Sequence, residues 1–490
     1  MKPESVFSAA YRSVTVSALL LLALAAFDGM AVAAALPKIG GDLGVSGLPW
    51  VLTSFSLSST VTLLAAGPLI DSLGVRRTYR FTLVEFFAAS VLCTFAPNLW
   101  LLVIARLLQG IGGGMVMAVT LANVGLTYPA ELRSRALAVN SMVWGAMALA
   151  GPAAAAFLLS IVSWRGIFFL NLPLVLFAGA IGWNRLAEAG ERTDEDFDVR
   201  GFVLLSVVTI VALLSLSTIR WASFGGLAVA ILFGWLYWRH SGRVAAPVVA
   251  RRHLINWPFG PMNLIPCMFF AGSLALDAYL PVYVQGALGR SSAQAAFAVA
   301  FLAIGWTTGS QIASRMLDRF DNVDVMMVGF FITVPAVFAG VLLYSDHLSL
   351  GVVYGLSAVQ GLGIGAVTNA TISLLQRTAA AGEMGRVSGA HQFMRHLGGT
   401  LGLAAAGTVL LGVVASRIGS VEPVRRLLDG DSDGATIELG NQTRAAIAGG
   451  FRGAAIVALV INIAGGLVAI YARRRYRREQ AAGLWVAPAS

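Results

Sequence analysis

Ile104–Gly125 reads IARLLQGIGGGMVMAVTLANVG and is apolar enough to span a bilayer, yet it carries Arg106 near its start. A charged side chain at the centre of a membrane helix costs about 2.5–3.5 kcal/mol on insertion scales, so it is kept where it faces protein, water or a partner charge. Gln109 follows three residues later, on the same helix face, and then come Gly110, Gly112, Gly113 and Gly114. Polar atoms on one face beside missing side chains imply a helix that lines an interior and lets its neighbours approach closely.

Composition sets the class. The 490-residue chain is 57% hydrophobic and 12% charged, with mean hydropathy +0.78, against roughly 25% charged in an average soluble domain. It reads as a polytopic, all-α membrane protein. The formal charge of +10 is carried by short arginine clusters between apolar runs, not along one soluble basic face, which argues against nucleic acid as a partner. Cys93 and Cys267, the two cysteines, lie within apolar runs and support neither a disulfide framework nor a Cys-based metal site. The first apolar run, Val14–Leu36, is longer than a signal-peptide core and reads as retained.

Fourteen apolar stretches are long enough to cross a core of roughly 30 Å. They lie near 14–36, 50–70, 79–96, 100–124, 136–160, 166–186, 201–219, 222–238, 258–284, 293–314, 325–345, 348–375, 386–415 and 449–472. An even number puts both termini on one side, and that side's loops hold 23 Lys and Arg against Lys38, Arg165, Arg220 and Arg290 on the other. The positive-inside rule makes both termini cytoplasmic, in a multi-pass protein of the cell (inner) membrane. The charged segment Glu188–Arg200 and the basic stretch Arg239–Arg252 flank two short spans that read as an insert between two six-span halves. The expected division is therefore 1–186, a two-helix insert at 187–257, a second bundle at 258–478 and a tail at 479–490. A weak echo between Gly67–Arg77 (GPLIDSLGVRR) and Gly309–Arg319 (GSQIASRMLDR) fits duplicated halves, with substrate between them.

Four motifs together carry a family resemblance. Phe27–Pro37 (FDGMAVAAALP) is similar to LDxTxVNVALP in Asp28, Ala35, Leu36 and Pro37, with Met30 and Ala33 in place of Thr and Asn. GPLIDSLGVRR is similar to GxLaDRxGRRR in Gly67, Asp71, Gly74, Arg76 and Arg77, with Ser72 where Arg is usual. Arg106, Gln109 and Gly110 match RxxQG, and Gly151 and Pro152 match the GP core of an antiporter motif whose final glycines are Ala155 and Ala156 here. Trp164–Pro173 (WRGIFFLNLP) and Phe393–Gly402 (FMRHLGGTLG) add to it. Through most of its length the chain resembles the fourteen-span drug:proton antiporters of the major facilitator superfamily, the EmrB/QacA type. The resemblance implies two six-helix bundles with two extra helices between them, and a cytoplasmic Asp71/Arg76 motif that latches the outward-open state.

Depth alone suggests a partner for Arg106. Asp28 lies about 21 Å along an outward-running first span, and Arg106 about 9 Å along an inward-running fourth, so both fall at similar depth in the outer half. An aspartate and an arginine that approach and separate would bind and release a proton; a static ion pair joining two helices is the alternative. Asp277, in the ninth span, reads either as a second protonatable or cation-selecting site or as an interfacial residue reached by water. Glu85 reads as a snorkelling side chain.

The thirteenth span carries Ser388, His391, Gln392, Arg395 and His396 on adjoining faces. His391 has either a proton role or simple hydrogen bonding within the bundle. Candidate cavity residues are Gln109, Trp144, Tyr279, Tyr283, Trp306, His391 and Arg395, with Trp50, Phe55 and Phe393 as further aromatics. Such a lining suits an amphiphilic or cationic organic molecule. Gly67–Pro68 and Gly151–Pro152 are bend points. The loop 416–448 is expected to form a short amphipathic helix at Val421–Leu428 that rests on the outer vestibule, or else to be a tether.

The sequence therefore describes a proton-coupled exporter with no enzymatic domain, cofactor or metal. Its expected partners are protons, a small organic substrate and membrane lipid; an accessory export protein is left open. A lipid or metabolite exporter on the same scaffold, and a sensor that no longer transports, are the alternatives.

Overall fold

The computed structural model describes residues 5–44, 47–48, 50–186, 196–217, 221–380, 382–422, 424 and 440–483. Among these every regular element is helical, as an apolar chain in lipid requires: backbone N–H and C=O groups without water must be satisfied within the helix itself. In chain order the helices are α1 (Arg12–Leu43), α2 (Trp50–Leu73), α3 (Val75–Thr94), α4 (Leu99–Thr127), α5 (Ala130–Ile161), α6 (Arg165–Gly182), α7 (Val199–Ser217) and α8 (Trp221–Ser241). They continue with α9 (Arg251–Ile255), α10 (Phe259–Val282), which runs into a π-turn at Tyr283–Ala287, α11 (Ser292–Met316), α12 (Asn322–Leu343), α13 (Leu350–Thr378), α14 (Met384–Ile418) and α15 (Asn441–Ala481). A helix overlaps most of each of the fourteen apolar stretches. Among the described residues ten helices are long and apolar enough to cross a membrane, or eleven if α5 counts as one span bent by 46° between Ala148 and Ala153, the segment that holds Gly151 and Pro152.

Local chemistry fixes several ends. Asn98 caps α4 by accepting from Leu101 N at 2.9 Å, and Ser291 with Gln294 forms a reciprocal capping box on α11. Gly74, between α2 and α3, has φ of +86° with open space around its α-carbon. Its glycine answers to backbone conformation, not to crowding. Asp198 accepts from Gly201 N at the start of α7 and also holds His240 at the end of α8 at 2.7 Å, which closes the α7–α8 hairpin.

The described residues form two compact units, one containing the chain through Gly260 with Ile372–Phe393, the other Pro261–Thr371 with Met394 onward. In the first, α1 packs on α5 and α6, and α4 packs between α2 and α3. Gly110, Gly113 and Gly114 face Phe55, Ser58, Ser59 and Thr62 of α2, while Gly112 faces Glu85 and Phe86 of α3. The glycine run thus serves two helix contacts at once. In the second unit α15 packs on α12 and on the π-turn, and Gly305 and Gly309 of α11 press on the backbone of α13 at Ala358 and Leu362.

Outward faces carry exposed Phe81, Trp100, Ile104, Leu107 and Phe157. Such an apolar surface belongs against lipid tails. Of the loop expected at 416–448, α14 takes up residues through Ile418 and α15 begins at Asn441, which shortens it at both ends. Val424 is buried in the second unit's core, and most of Val421–Leu428 lies outside the described residues.

Crowding on α4 gives a direct test. A Cβ on Gly114 would lie 3.0 Å from Thr62 Cβ and closer still to the Ser59 carbonyl, whereas one on Gly179 of α6 meets only Leu83 Cδ1 at 3.5 Å. Gly114→Val should cost about 1–3 kcal/mol by overpacking, read as a lower thermal midpoint in detergent. Gly179→Ala should leave the midpoint unchanged or raise it.

Candidate functional site

Arg106 and Asp28 meet inside the first unit, with side-chain exposures of 1% and 0%. Arg106 Nη1 donates to Asp28 Oδ2 at 2.5 Å and to Gln109 Oε1 at 2.6 Å, and Nε donates to the Val51 carbonyl at 3.2 Å. Its guanidinium lies over the Phe55 ring at 4.2 Å, with Phe168 at 5.8 Å. Val51 and Phe55 come from α2 and Phe168 from α6, so the cation is walled in by three helices besides its own.

The other carboxylate oxygen, Asp28 Oδ1, accepts from two amides. Gln109 Nε2 donates from 3.1 Å and Asn171 Nδ2 of α6 from 3.1 Å. Gln109 also donates to Ser90 Oγ at 3.0 Å and accepts from Cys93 Sγ at 3.4 Å, which ties α3 into the cluster. A buried ion pair is sustained only where the remaining lone pairs and protons are also satisfied. Here α1, α2, α3, α4 and α6 each supply part of that shell.

Other expected residues fall in different settings. Gln109 belongs to the ion-pair shell and is fully buried in this structure. Tyr283 is placed in the second unit's core: it stacks on Phe451 at 4.6 Å and donates to the Ser345 carbonyl. His391 is fully buried in the first unit. Trp144, Tyr279 and Asp277 are half-buried; Tyr279 donates to the Leu403 carbonyl, and Asp277 has no hydrogen bond among the described residues. Arg395 stands over Phe270 at 4.4 Å and Trp306 at 6.0 Å, the two rings meeting edge to face.

Two residues expected in a conformational motif, Gly67 and Asp71, meet the start of α14. Asp71, at the end of α2, accepts from the first amides of α14, Gly385 N at 2.6 Å and Arg386 N at 2.9 Å, so a carboxylate from another helix caps α14. The approach needs glycine, because a Cβ on Gly67 would come within 2.8 Å of the Gly385 carbonyl. Arg76 donates to the Leu186 carbonyl at 2.8 Å, and Arg77 is exposed. Beside this junction Arg252 of α9 pairs with Glu383. Burial, with Arg252 and Arg386 close by, pushes the His253 imidazole down to about 4.

Sequence reasoning missed Asn171 and Ser90, which lie in apolar helices with no charge to mark them. It also missed a repeat. Gln109 and Gln360 each hold the eleventh place of a 29-residue helix and open QGIGGG and QGLGIG, in α4 and α13. Aligned this way, Arg106 corresponds to Ser357, and Gln360 donates to a backbone carbonyl, that of Ser273, at 3.2 Å. The second unit keeps the glycine seam without the buried cation.

Comparison with known proteins agrees with this architecture. Residues 18–403 match the family model for the Major Facilitator Superfamily. The multidrug transporter protein MdtP of Bacillus subtilis is 28% identical over 393 residues, 79% of this chain and 72% of that protein. The tetracenomycin C resistance and export protein of Streptomyces glaucescens is 26% identical over 409 residues, 82% and 75% of the two chains. The crystal structure of the human organic anion transporter MFSD10 shares the fold, with a TM-score of 0.65 at 14% identity over 92% of this chain and 99% of that one.

The Asp71 cap predicts a local effect. Asp71→Asn keeps the shape but removes the charge and one acceptor, so the amides of Gly385 and Arg386 should exchange hydrogen about tenfold faster, the equivalent of about 1–2 kcal/mol. Hydrogen exchange read by mass spectrometry should confine the change to the start of α14.

Proposed function

The chain belongs to the Major Facilitator Superfamily, and from that membership together with the buried Asp28–Arg106 pair we propose a proton-coupled exporter of amphiphilic or cationic organic compounds. It is a multi-pass membrane transporter and not an enzyme. In this reading it crosses the cell (inner) membrane fourteen times, as the EmrB/QacA type does, with both termini in the cytoplasm. Residues 1–186 and 258–478 form the two six-helix bundles, and 187–257 the insert.

The observation that carries the reading is a carboxylate held away from water by one arginine and two amides. Such a group has two well-defined states. With Arg106 in contact the carboxylate is stabilised as an ion; withdrawal of Arg106 leaves a desolvated acid that takes up a proton. Movement of α4 against α1 then exchanges a proton for a change of conformation. Multidrug and export relatives support the substrate class. The Asp71 cap on α14 is the contact that resists the change, which assigns Gly67, Asp71, Gly74 and Arg76 to conformational control and Gly151–Pro152 to a bend in α5.

A second reading, export of an anionic metabolite, draws on Arg395 against Phe270 and Trp306. The two readings differ in the charge of what is moved.

Everted vesicles given an imposed pH gradient and ethidium, tetraphenylphosphonium or a fluorescent aromatic carboxylate separate them. Wild-type protein should accumulate one of the cations, and Asp28→Asn should abolish accumulation at equal expression. Arg106→Lys should lose at least tenfold in rate, because a point charge does not reproduce the contacts of a planar fork with carboxylate, amide and ring. Accumulation of the carboxylate alone would favour the second reading, and wild-type accumulation by Asp28→Asn would remove Asp28 from coupling.

A further inference from the structure

We propose that Asn171 is the residue that registers the protonation of Asp28, by turning its side-chain amide so that it donates to the carboxylate and accepts from the acid. The inference rests on Asp28 being the proton carrier.

The geometry is specific. In the state this structure shows Asp28 Oδ2 faces Arg106, which has donors only, so a proton that arrives while Arg106 is still within reach would, on Oδ2, point at N–H groups. The proton therefore belongs on Oδ1. That oxygen also faces two donors in this structure, Gln109 Nε2 and Asn171 Nδ2. An O–H formed there needs one of the two amides to present its oxygen instead.

Gln109 is not free to do so. Its Oε1 already accepts from Arg106 at 2.6 Å and from Cys93 at 3.4 Å, and its Nε2 is shared with Ser90. Asn171 differs: its side chain is fully buried, and among the described residues its amide donates to Asp28 alone while its Oδ1 has no partner. An orphaned buried acceptor costs about 1–3 kcal/mol, and here it lies on the amide that touches the carboxylate. Rotation by half a turn about the Cβ–Cγ bond puts Asn171 Oδ1 where Nδ2 stands, and the new O–H donates to it. One O–H bond forms on Asp28 as one O–H bond of a hydronium ion breaks and releases water; the turn of the amide changes hydrogen bonds only.

The charged and titratable groups that face Asp28 are few. From α4 there is Arg106, and from α3 Cys93, with Glu85 about two turns further along the same helix. The ionisable groups of α5, Glu131, Arg133 and Arg135, lie in its first turns, near the Thr15–Tyr128 hydrogen bond and well along α1 from Asp28. From α6 Asn171 is the polar group at this site, so α6 learns the state of Asp28 through this amide.

Two substitutions test it. Asn171→Leu keeps the size and removes both donor and acceptor; Asn171→Ser keeps a hydroxyl that is able to do both. Infrared difference titration of the purified protein, with Asp28→Asn as the subtraction, reads the carboxylic acid C=O band of Asp28 without any substrate. In Asn171→Leu the ion loses a charge-assisted donor and the acid loses a weaker neutral acceptor, so the midpoint of that band should move upward by up to about one pH unit, and loss of the acid's acceptor should shift the band to higher frequency. Asn171→Ser should return both toward wild type. An unchanged midpoint and frequency in Asn171→Leu, with a band that Asp28→Asn removes, would overturn the role of Asn171 and leave Asp28 as carrier. Absence of any band removed by Asp28→Asn would instead overturn the carrier reading on which it rests.

Discussion

Burying one guanidinium sets the terms for the first unit. Arg106 cannot shed its charge, so every surface around it must answer that charge: the carboxylate of Asp28 from α1, the carbonyl of Val51 and the ring of Phe55 from α2, the ring of Phe168 from α6, and on its own helix the amide of Gln109, which Ser90 and Cys93 of α3 hold. Those groups reach Arg106 only because α4 lies close to α2 and α3, and that closeness depends on Gly110 to Gly114. Missing side chains and buried charge are therefore one design, in which the glycines let backbones approach and the approach makes the ion pair dry.

The second unit shows what the scaffold does without the charge. It repeats the glutamine and the spaced glycines in α13, with Ser357 in the place of Arg106, and Gln360 is spent on a backbone carbonyl. Its polar capacity lies elsewhere, in Arg395 against two aromatic rings. The shared glycine pattern supports packing in both units, so the arginine is the feature that packing does not explain.

Helices were legible in the sequence because a run of apolar residues in lipid has one way to satisfy its backbone. The Asp28–Arg106 pair was legible too, since rise per residue fixes depth and two opposite charges at one depth have reason to meet. What escaped was chemistry without charge. Asn171 and Ser90 look like ordinary polar residues in apolar helices until the fold sets them beside Asp28. Residue type alone suggests a cavity for Gln109 and Tyr283 and says nothing of the contacts the fold gives them, the ion pair beside Gln109 and the Phe451 ring against Tyr283. Asp71 was legible through its motif; its partner, the amide end of α14, lies more than three hundred residues away and has no side-chain signature.

If the buried carboxylate of Asp28 couples protons to transport, its loss must uncouple them. The most direct measurement is proton movement itself, in proteoliposomes with a lumenal pH dye, driven by a gradient of whichever organic cation the protein moves. Wild-type protein should carry protons against the cation, and Asp28→Asn should exchange labelled cation across the membrane while moving no protons. Counter-movement of protons at the wild-type rate in Asp28→Asn would contradict the claim.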